Sequence, residues 1–169
     1  MKISLRKSKK MEQLKIDFNS LKRDNWSEQE VENAELVLDF IQHLMIDHDF
    51  DYVMDKFNKG SYIQHNRSMP NGVGGVVEYV RGFVKRFPDF TYDVKHIYVD
   101  GEYVIVHSHS TANKKDRGNP QKGFNIKDTW KIENGQLVEH WDAIQPIDGF
   151  MRFYTFVAGG GSKNANTLF

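Results

Sequence analysis

The chain has no cysteine in 169 residues. Disulfides, thiolate metal sites and cysteine nucleophiles are therefore excluded, and the composition suits a reducing compartment, with the cytoplasm as the expected location. Charge of either sign is also not in excess. The 23 basic and 23 acidic residues balance, so no general affinity for polyanions is implied. Five of the basic residues fall in the first ten positions with no acid among them, which leaves 18 basic against 23 acidic residues in the rest, a net of −5. Nucleic acid is thus not an expected partner of the body. No apolar run approaches membrane-spanning length, and the basic start lacks the apolar stretch of a secretory signal. It reads as a tail, with a weak surface patch for acidic lipid as the alternative reading, and Met11 offers a second start point. There is no Gly-x-Gly-x-x-Gly after a strand, no phosphate loop and no serine elbow, so nucleotide cofactors are not supported. Gly72-Val-Gly-Gly75 is rich in glycine but lacks the lysine and spacing of a phosphate loop, and reads as the start of a helix. With 39% hydrophobic residues, the length suits one domain with a core and is short for two.

Periodicity supplies the elements. Ser27-Glu28-Gln29-Glu30 is a capping box, followed at helical spacing by Val31, Ala34, Leu38, Ile41 and Met45. Asp49 caps a second, short helix with Phe50, Val53, Met54 and Phe57 on one side, ended by Gly60. A strand from Tyr62 to Asn66 and a turn at Met69-Pro-Asn-Gly72 lead to a third helix, lined by Val73, Val76, Val77, Val80, Val84 and Phe87 and stopped by Pro88. Strands Phe90–Val99 and Glu102–Ala112 flank a turn at Asp100-Gly101, and a polar loop precedes a last hairpin, Phe124–Glu133 and Gln136–Gln145. Helices first and a strand meander after imply an α+β fold. The stretch from Ile147 to Val157 is aromatic and apolar, suited to capping a cavity mouth or packing on a second subunit. The expected organisation is a basic tail and lead-in over 1–26, one domain over 27–157, and a flexible tail over 158–169.

The last hairpin holds the most informative residue. Phe124, Ile126, Asp128, Trp130 and Ile132 share one strand face, so a carboxylate stands where an apolar residue belongs. Burying it costs several kcal/mol (about 2–7 for an unpaired polar group) unless it is partnered or neutralised. Such a group is either a structural acceptor or part of a site. If Asn134-Gly135 is a two-residue turn, Asp128 faces Trp141. If Glu133-Asn134-Gly135 is a three-residue loop, Asp128 faces His140 and shares its side with Asp142. The second register gathers two carboxylates and an imidazole, a cluster that separates the pKa values of an acid and a base. His107 and His109 alternate along their strand on the face of Tyr103 and Ile105, as a polar pocket wall or a solvent-facing stripe. His43, His48 and His96 read as structural or exposed. Trp130 and Trp141 read as packing that could also wall a planar ligand.

The run Asp128-Thr-Trp-Lys-Ile-Glu-Asn-Gly-Gln-Leu-Val-Glu-His-Trp-Asp142 resembles the terminal hairpin of SnoaL-like polyketide cyclases. They belong to the cone-shaped α+β superfamily that also holds ketosteroid isomerase and nuclear transport factor two. The Tyr62-Ile-Gln-His-Asn66 strand, with the glycine-containing loop and helix after it, is similar too. The resemblance spans residues 28 to 146. It implies N-terminal helices packed on a curved, mostly antiparallel sheet, a homodimer, and a cavity for a small apolar or carbonyl-containing molecule. It also implies the three-residue loop, with Asp142 as general acid/base and Asp128 and His140 beside it in a catalytic trio. The cyclases carry a pocket histidine where this chain has Asp128. His65 is implied to point inward, although parity alone also allows Tyr62, Gln64 and Asn66 to do so. Substrate-binding candidates are then His65, Tyr62, Asn66, His107, His109, Trp141 and Trp130. The activity implied is cofactor-free and metal-free proton transfer at a carbon next to a carbonyl, by aldol-type cyclisation or isomerisation. Enolate-oxygen donors would come from His107, His109, His140 or protonated Asp128. The rival readings are a hydrolase activating water with the same carboxylates, a non-catalytic ligand-binding or dimerisation module, and a metal site drawn from His65, His107, His109, His140 and an Asp.

Overall fold

The capping box forms as the sequence dictates. The Ser27 hydroxyl accepts from the Glu30 N–H and the Glu30 carboxylate accepts from the Ser27 N–H at 2.8 Å, closing the exposed start of α2 (Glu28–Ile41). A short α1 (Phe18–Leu21) precedes it. The computed structural model describes residues 14–158 and 161–168, so the basic start and Met11 lie outside the described residues. The apolar stripe of α2 buries Ala34, Val37, Leu38 and Ile41. Its path continues past Ile41 in a π-helical turn, Gln42–Asp47, which ends at left-handed His48. Asp49 then caps α3 (Phe50–Phe57) by accepting from the Tyr52 N–H at 3.1 Å. In α4 (Val73–Arg86), Val73, Val76, Val77 and Val80 are buried, and Gly72 is the residue before its first turn, the structural role expected of the glycine run.

Five strands form one open sheet in the order β1-β5-β4-β3-β2. They are β1 (Ile63–Gln64), β2 (Thr91–Asp100), β3 (Tyr103–Thr111), β4 (Phe124–Glu133) and β5 (Gln136–Pro146). All neighbours are antiparallel except β1, which runs parallel to β5 over the pairs Ile63–Glu139 and Gln64–His140. The expected α+β layout is therefore observed, with β1 shorter than the five-residue strand expected. The inner face of the sheet carries Ile97, Val104, Val106, Phe124, Ile126 and Trp130 into one core with the helices. Burial of this order is the main favourable term of folding.

The aromatic stretch after β5 forms α5 (Gly149–Ala158). Asp148 starts it by accepting from the Phe150 and Met151 N–H groups at 2.9 and 3.1 Å. Tyr154 sets its ring against Phe83 and Phe87 of the α4 region, with centroids 5.9 and 5.1 Å apart, so α5 packs against the C-terminal end of α4. Residues 161–168 run beside β1. Asn164 donates to the carbonyls of Asn66 and Met69 at 2.9 and 2.8 Å, and Asn166 donates to the Gln64 carbonyl at 2.8 Å.

One glycine is required by contact. Gly123, before β4, has φ +83°, and a Cβ there would lie 2.0 Å from the Ser110 carbonyl oxygen. We expect Gly123→Ala to lower stability by about 2–4 kcal/mol, through strain and the forced separation of β3 and β4. Urea denaturation would show this as a lower midpoint, and an unchanged midpoint would contradict the close approach.

Candidate functional site

The site is set by the way β4 turns into β5. Asn134 and Gly135 have φ values of 51° and 70°, the pair of positive angles that a two-residue type I′ turn requires. Glu133 pairs with Gln136 and Ile132 with Leu137, but Lys131 pairs with Glu139. Val138 is therefore an extra residue, a bulge. This corrects both expected registers. The two-residue turn is present without Asp128 facing Trp141, and the three-residue loop is absent. Instead the bulge shifts the pairing by one, so that Asp128 faces Asp142 and Trp130 faces His140. All four side chains lie on the inner face, as the three-residue loop would also have placed them.

Strand β1 brings the second half of the site. Its parallel pairing sets Gln64 beside His140, with Tyr62 and Gln64 buried inward. The Gln64 side-chain oxygen accepts the Asn66 backbone N–H at 2.8 Å and also contacts His140 Nδ1 at 3.0 Å. Because that oxygen is already identified as an acceptor, His140 Nδ1 must carry a hydrogen. In the same way, Asn66 Oδ1 accepts the Ser68 N–H at 2.9 Å, which turns the Asn66 amide nitrogen toward the Asp142 oxygens at 2.9 and 2.7 Å. Two backbone N–H groups thus fix the orientation of both amides.

His140 Nε2 lies 3.2 Å from Asp128 Oδ1, and both residues are buried. Burial pushes the Asp128 carboxyl above its ordinary range, the His140 hydrogen bond opposes this, and the facing Asp142 charge adds to the rise. With Nδ1 donating to Gln64, Nε2 is the ring nitrogen left to meet Asp128 Oδ1. Asp128 Oδ2 has no hydrogen-bond partner among the described residues.

These groups open on a cavity of about 40 Å³, lined also by Tyr62, Tyr92, Trp130 and Ile144. It adjoins an apolar chamber of about 100 Å³, with Met45, Met69, Val80, Tyr92 and Ile144 common to both walls. Tyr62 accepts from Trp130 Nε1 at 3.1 Å, which leaves its own hydroxyl hydrogen available. The Tyr92 hydroxyl has no hydrogen-bond partner among the described residues, and burial raises both phenols above their ordinary range. Sequence reading passed over Tyr92 and Gln64 as site residues. Tyr92 alternates in phase with Phe90, which is the signal that could have found it. Trp130 packs edge-on against Phe40 at 6.2 Å.

Three expected pocket histidines lie elsewhere. His107 and His109 are on the outer face, since Val106 is the residue opposite Asp128 and the inward positions of β3 are Val104, Val106, Ser108 and Ser110. Their Nε2 atoms contact Asn125 Oδ1 at 2.6 Å and the Lys122 carbonyl at 2.7 Å. Gln64, not His65, points inward. His65 turns to the other side, where Nε2 meets Glu139 at 2.7 Å, Nδ1 meets the Thr167 carbonyl, and the ring stacks on Trp141 at 4.6 Å. Both His65 and Trp141 are thus directed away from the Asp142 cavity. Among the described residues, the trio able to hold a metal ion is Asp128, His140 and Asp142, with ligand atoms within 4.8 Å of one another. Among the described residues, no metal set built on His65, His107 or His109 assembles.

Residues 37–140 match the family model of the SnoaL-like domain. No curated protein matches the sequence. Solved structures share the fold at low identity. A candidate SnoaL-like polyketide cyclase from Jannaschia sp. CCS1 has 18% identity and a TM-score of 0.59, over 82% of this chain and 99% of that one. A candidate polyketide cyclase from Bacillus cereus ATCC 10987 has 17% identity and 0.56, over 72% and 77%. AclR, a candidate hydroxylase from Streptomyces galilaeus, has 20% identity and 0.54, over 77% and 97%.

The raised Asp128 carboxyl makes stability depend on pH. A carboxyl with a folded pKa above its unfolded value of about 3.9 favours the fold fully below that value, and the contribution is lost as pH rises through the folded value. The stability of the wild type relative to Asp128→Asn should therefore fall as pH rises from about 4 toward neutrality. Urea denaturation of both proteins across that window tests it, and a constant difference would contradict a raised carboxyl.

Proposed function

This chain belongs to the SnoaL-like domain family, and on that premise we propose that it catalyses proton transfer at a carbon next to the carbonyl of a small molecule, without a cofactor. The observation that carries this reading is the Asp142 carboxylate, aimed by Asn66 into a small cavity whose other polar groups are hydroxyls and the Asp128–His140 pair in contact. Asp142 takes the proton from the α-carbon, and the electron pair of that C–H bond moves toward the carbonyl oxygen. The donors for the developing enolate oxygen are the hydroxyls of Tyr92 and Tyr62, which line the same cavity. This replaces the donors expected from sequence. His107 and His109 are on the outer face, and the two nitrogens of His140 and Asp128 Oδ1 are already engaged. The enolate then either regains a proton at another carbon, which is isomerisation, or attacks a second carbonyl within the molecule, which is aldol cyclisation.

The Asp128–His140 pair holds one proton beside Asp142, and the repulsion between two facing carboxylates keeps that proton in place when Asp142 is charged. A homodimer and a cytoplasmic location belong to the same proposal. They rest on the family resemblance and on the cysteine-free composition. None of the helices in the described residues is long and apolar enough to cross a membrane.

We expect Asp142→Asn to slow exchange of the α-protons of a small ketone such as acetophenone in D₂O by at least about 100-fold with the fold retained. Tyr92→Phe should slow it by about 10-fold or more, and His107→Ala should leave it unchanged. NMR of the ketone and circular dichroism of the variants read these outcomes. Full exchange activity in Asp142→Asn would sink the assignment.

A further inference from the structure

The two adjoining chambers restrict what can bind. They amount to about 40 and 100 Å³, and an apolar cavity of about 150 Å³ takes one benzene. None of the residues lining either chamber is Lys or Arg. The nearby Arg86 is engaged with the Tyr154 hydroxyl at 3.2 Å. At the polar end, two carboxylates face each other. A carboxylate or phosphate on the ligand would find no cation here and would be repelled by Asp142. Each chamber also holds a buried polar atom without a partner among the described residues, Asp128 Oδ2 in the smaller and Ser110 Oγ in the larger. Such atoms are costly in a fold whose cavity is meant to stay empty.

We infer that the two chambers are one binding site for an uncharged carbonyl compound with an apolar body the size of a single six-membered ring. The carbonyl end lies at Asp142, Tyr62 and Tyr92. The ring lies among Phe83, Phe90, Phe124 and Ile126, beneath Tyr154 of α5. A fused-ring ketone would extend beyond the two chambers, which disfavours it, and a carboxylate near the carbonyl is disfavoured by charge. The orientation of the carbonyl rests on the proposed role of Asp142, whereas the limits on size and charge do not.

Titration calorimetry with three compounds tests it. Acetophenone has one ring and no charge, 2-acetonaphthalene adds a fused ring, and benzoylacetate adds a carboxylate. Wild-type protein should bind acetophenone at least about 10-fold more tightly than either of the others. Ile144 lines both chambers and is 40% exposed, so Ile144→Ala enlarges the site at little cost to folding. It should narrow the gap between the naphthyl and phenyl ketones, as should Phe83→Ala, and leave benzoylacetate disfavoured. The inference is overturned if wild-type protein binds 2-acetonaphthalene or benzoylacetate as tightly as acetophenone, or if it binds none of the three. Selective binding of acetophenone together with α-proton exchange that survives Asp142→Asn supports this site and overturns only the catalytic reading.

Discussion

A single extra residue in β5 determines which face of the sheet His140 and Asp142 occupy. Continued without a bulge, the Asn134-Gly135 turn would pair Asp128 with Trp141 and send Asp142 and His140 outward. Val138 removes that outcome by taking two β5 positions against one on β4. It places His140 and Asp142 on the inner face and, by the same shift, sends Glu139 and Trp141 outward, where they meet His65. Both faces of the hairpin therefore depend on one register change. Register is this consequential because the side-chain period of a strand is two, so a one-residue slip exchanges the two faces.

The polar groups the bulge brings inward are oriented by backbone rather than by one another. Gln64 and Asn66 each have one side-chain oxygen occupied by a main-chain N–H of the loop that follows β1. Those bonds decide that His140 Nδ1 is a donor and that Asp142 receives an amide N–H. The loop is short of regular structure, since β1 pairs over two residues. It is held instead by Asn71, which accepts the Gln64 N–H at 2.9 Å, and by Asn164 and Asn166 near the end of the chain. A site built on so short a strand depends on those side-chain bonds to hold its geometry.

The sheet divides its work between its two faces. Inward, an apolar core surrounds a few polar atoms, and burial raises the proton affinity of Asp128, Tyr62 and Tyr92. Outward, His107 and His109 make ordinary contacts with Asn125 and Lys122 and lie across the sheet from that buried pocket. The same residue type thus serves two purposes, and the strand face decides which. The apolar chamber under α5 extends the inner face, and the aromatic stretch before the C-terminus supplies Tyr154 to its wall.

Much of this was legible in the chain itself. The capping box at Ser27, the valine stripe of α4, the meander and the misplaced carboxylate at Asp128 are local patterns, readable because helix and strand periods are properties of the backbone. So was the family resemblance carried by Asp128 to Asp142. The residues alone left two registers open for the last hairpin; the resemblance implied Asp128, His140 and Asp142 on one face, although through a loop that does not form. Tertiary structure alone decided the rest. Two parities were open for β1, and pairing with β5 chose Gln64 over His65. Two faces were open for the histidines of β3, and the opposition of Val106 to Asp128 turned them outward. The bulge at Val138 leaves no mark in composition or periodicity, because an extra residue in a strand is identifiable only from the partner it fails to pair with. Tyr92 joined the site for a similar reason, since its distance in sequence from Asp142 is closed only by the β2-β3-β4-β5 sheet. A strand's own period says which residues share a face, but only its neighbours say which face meets the core.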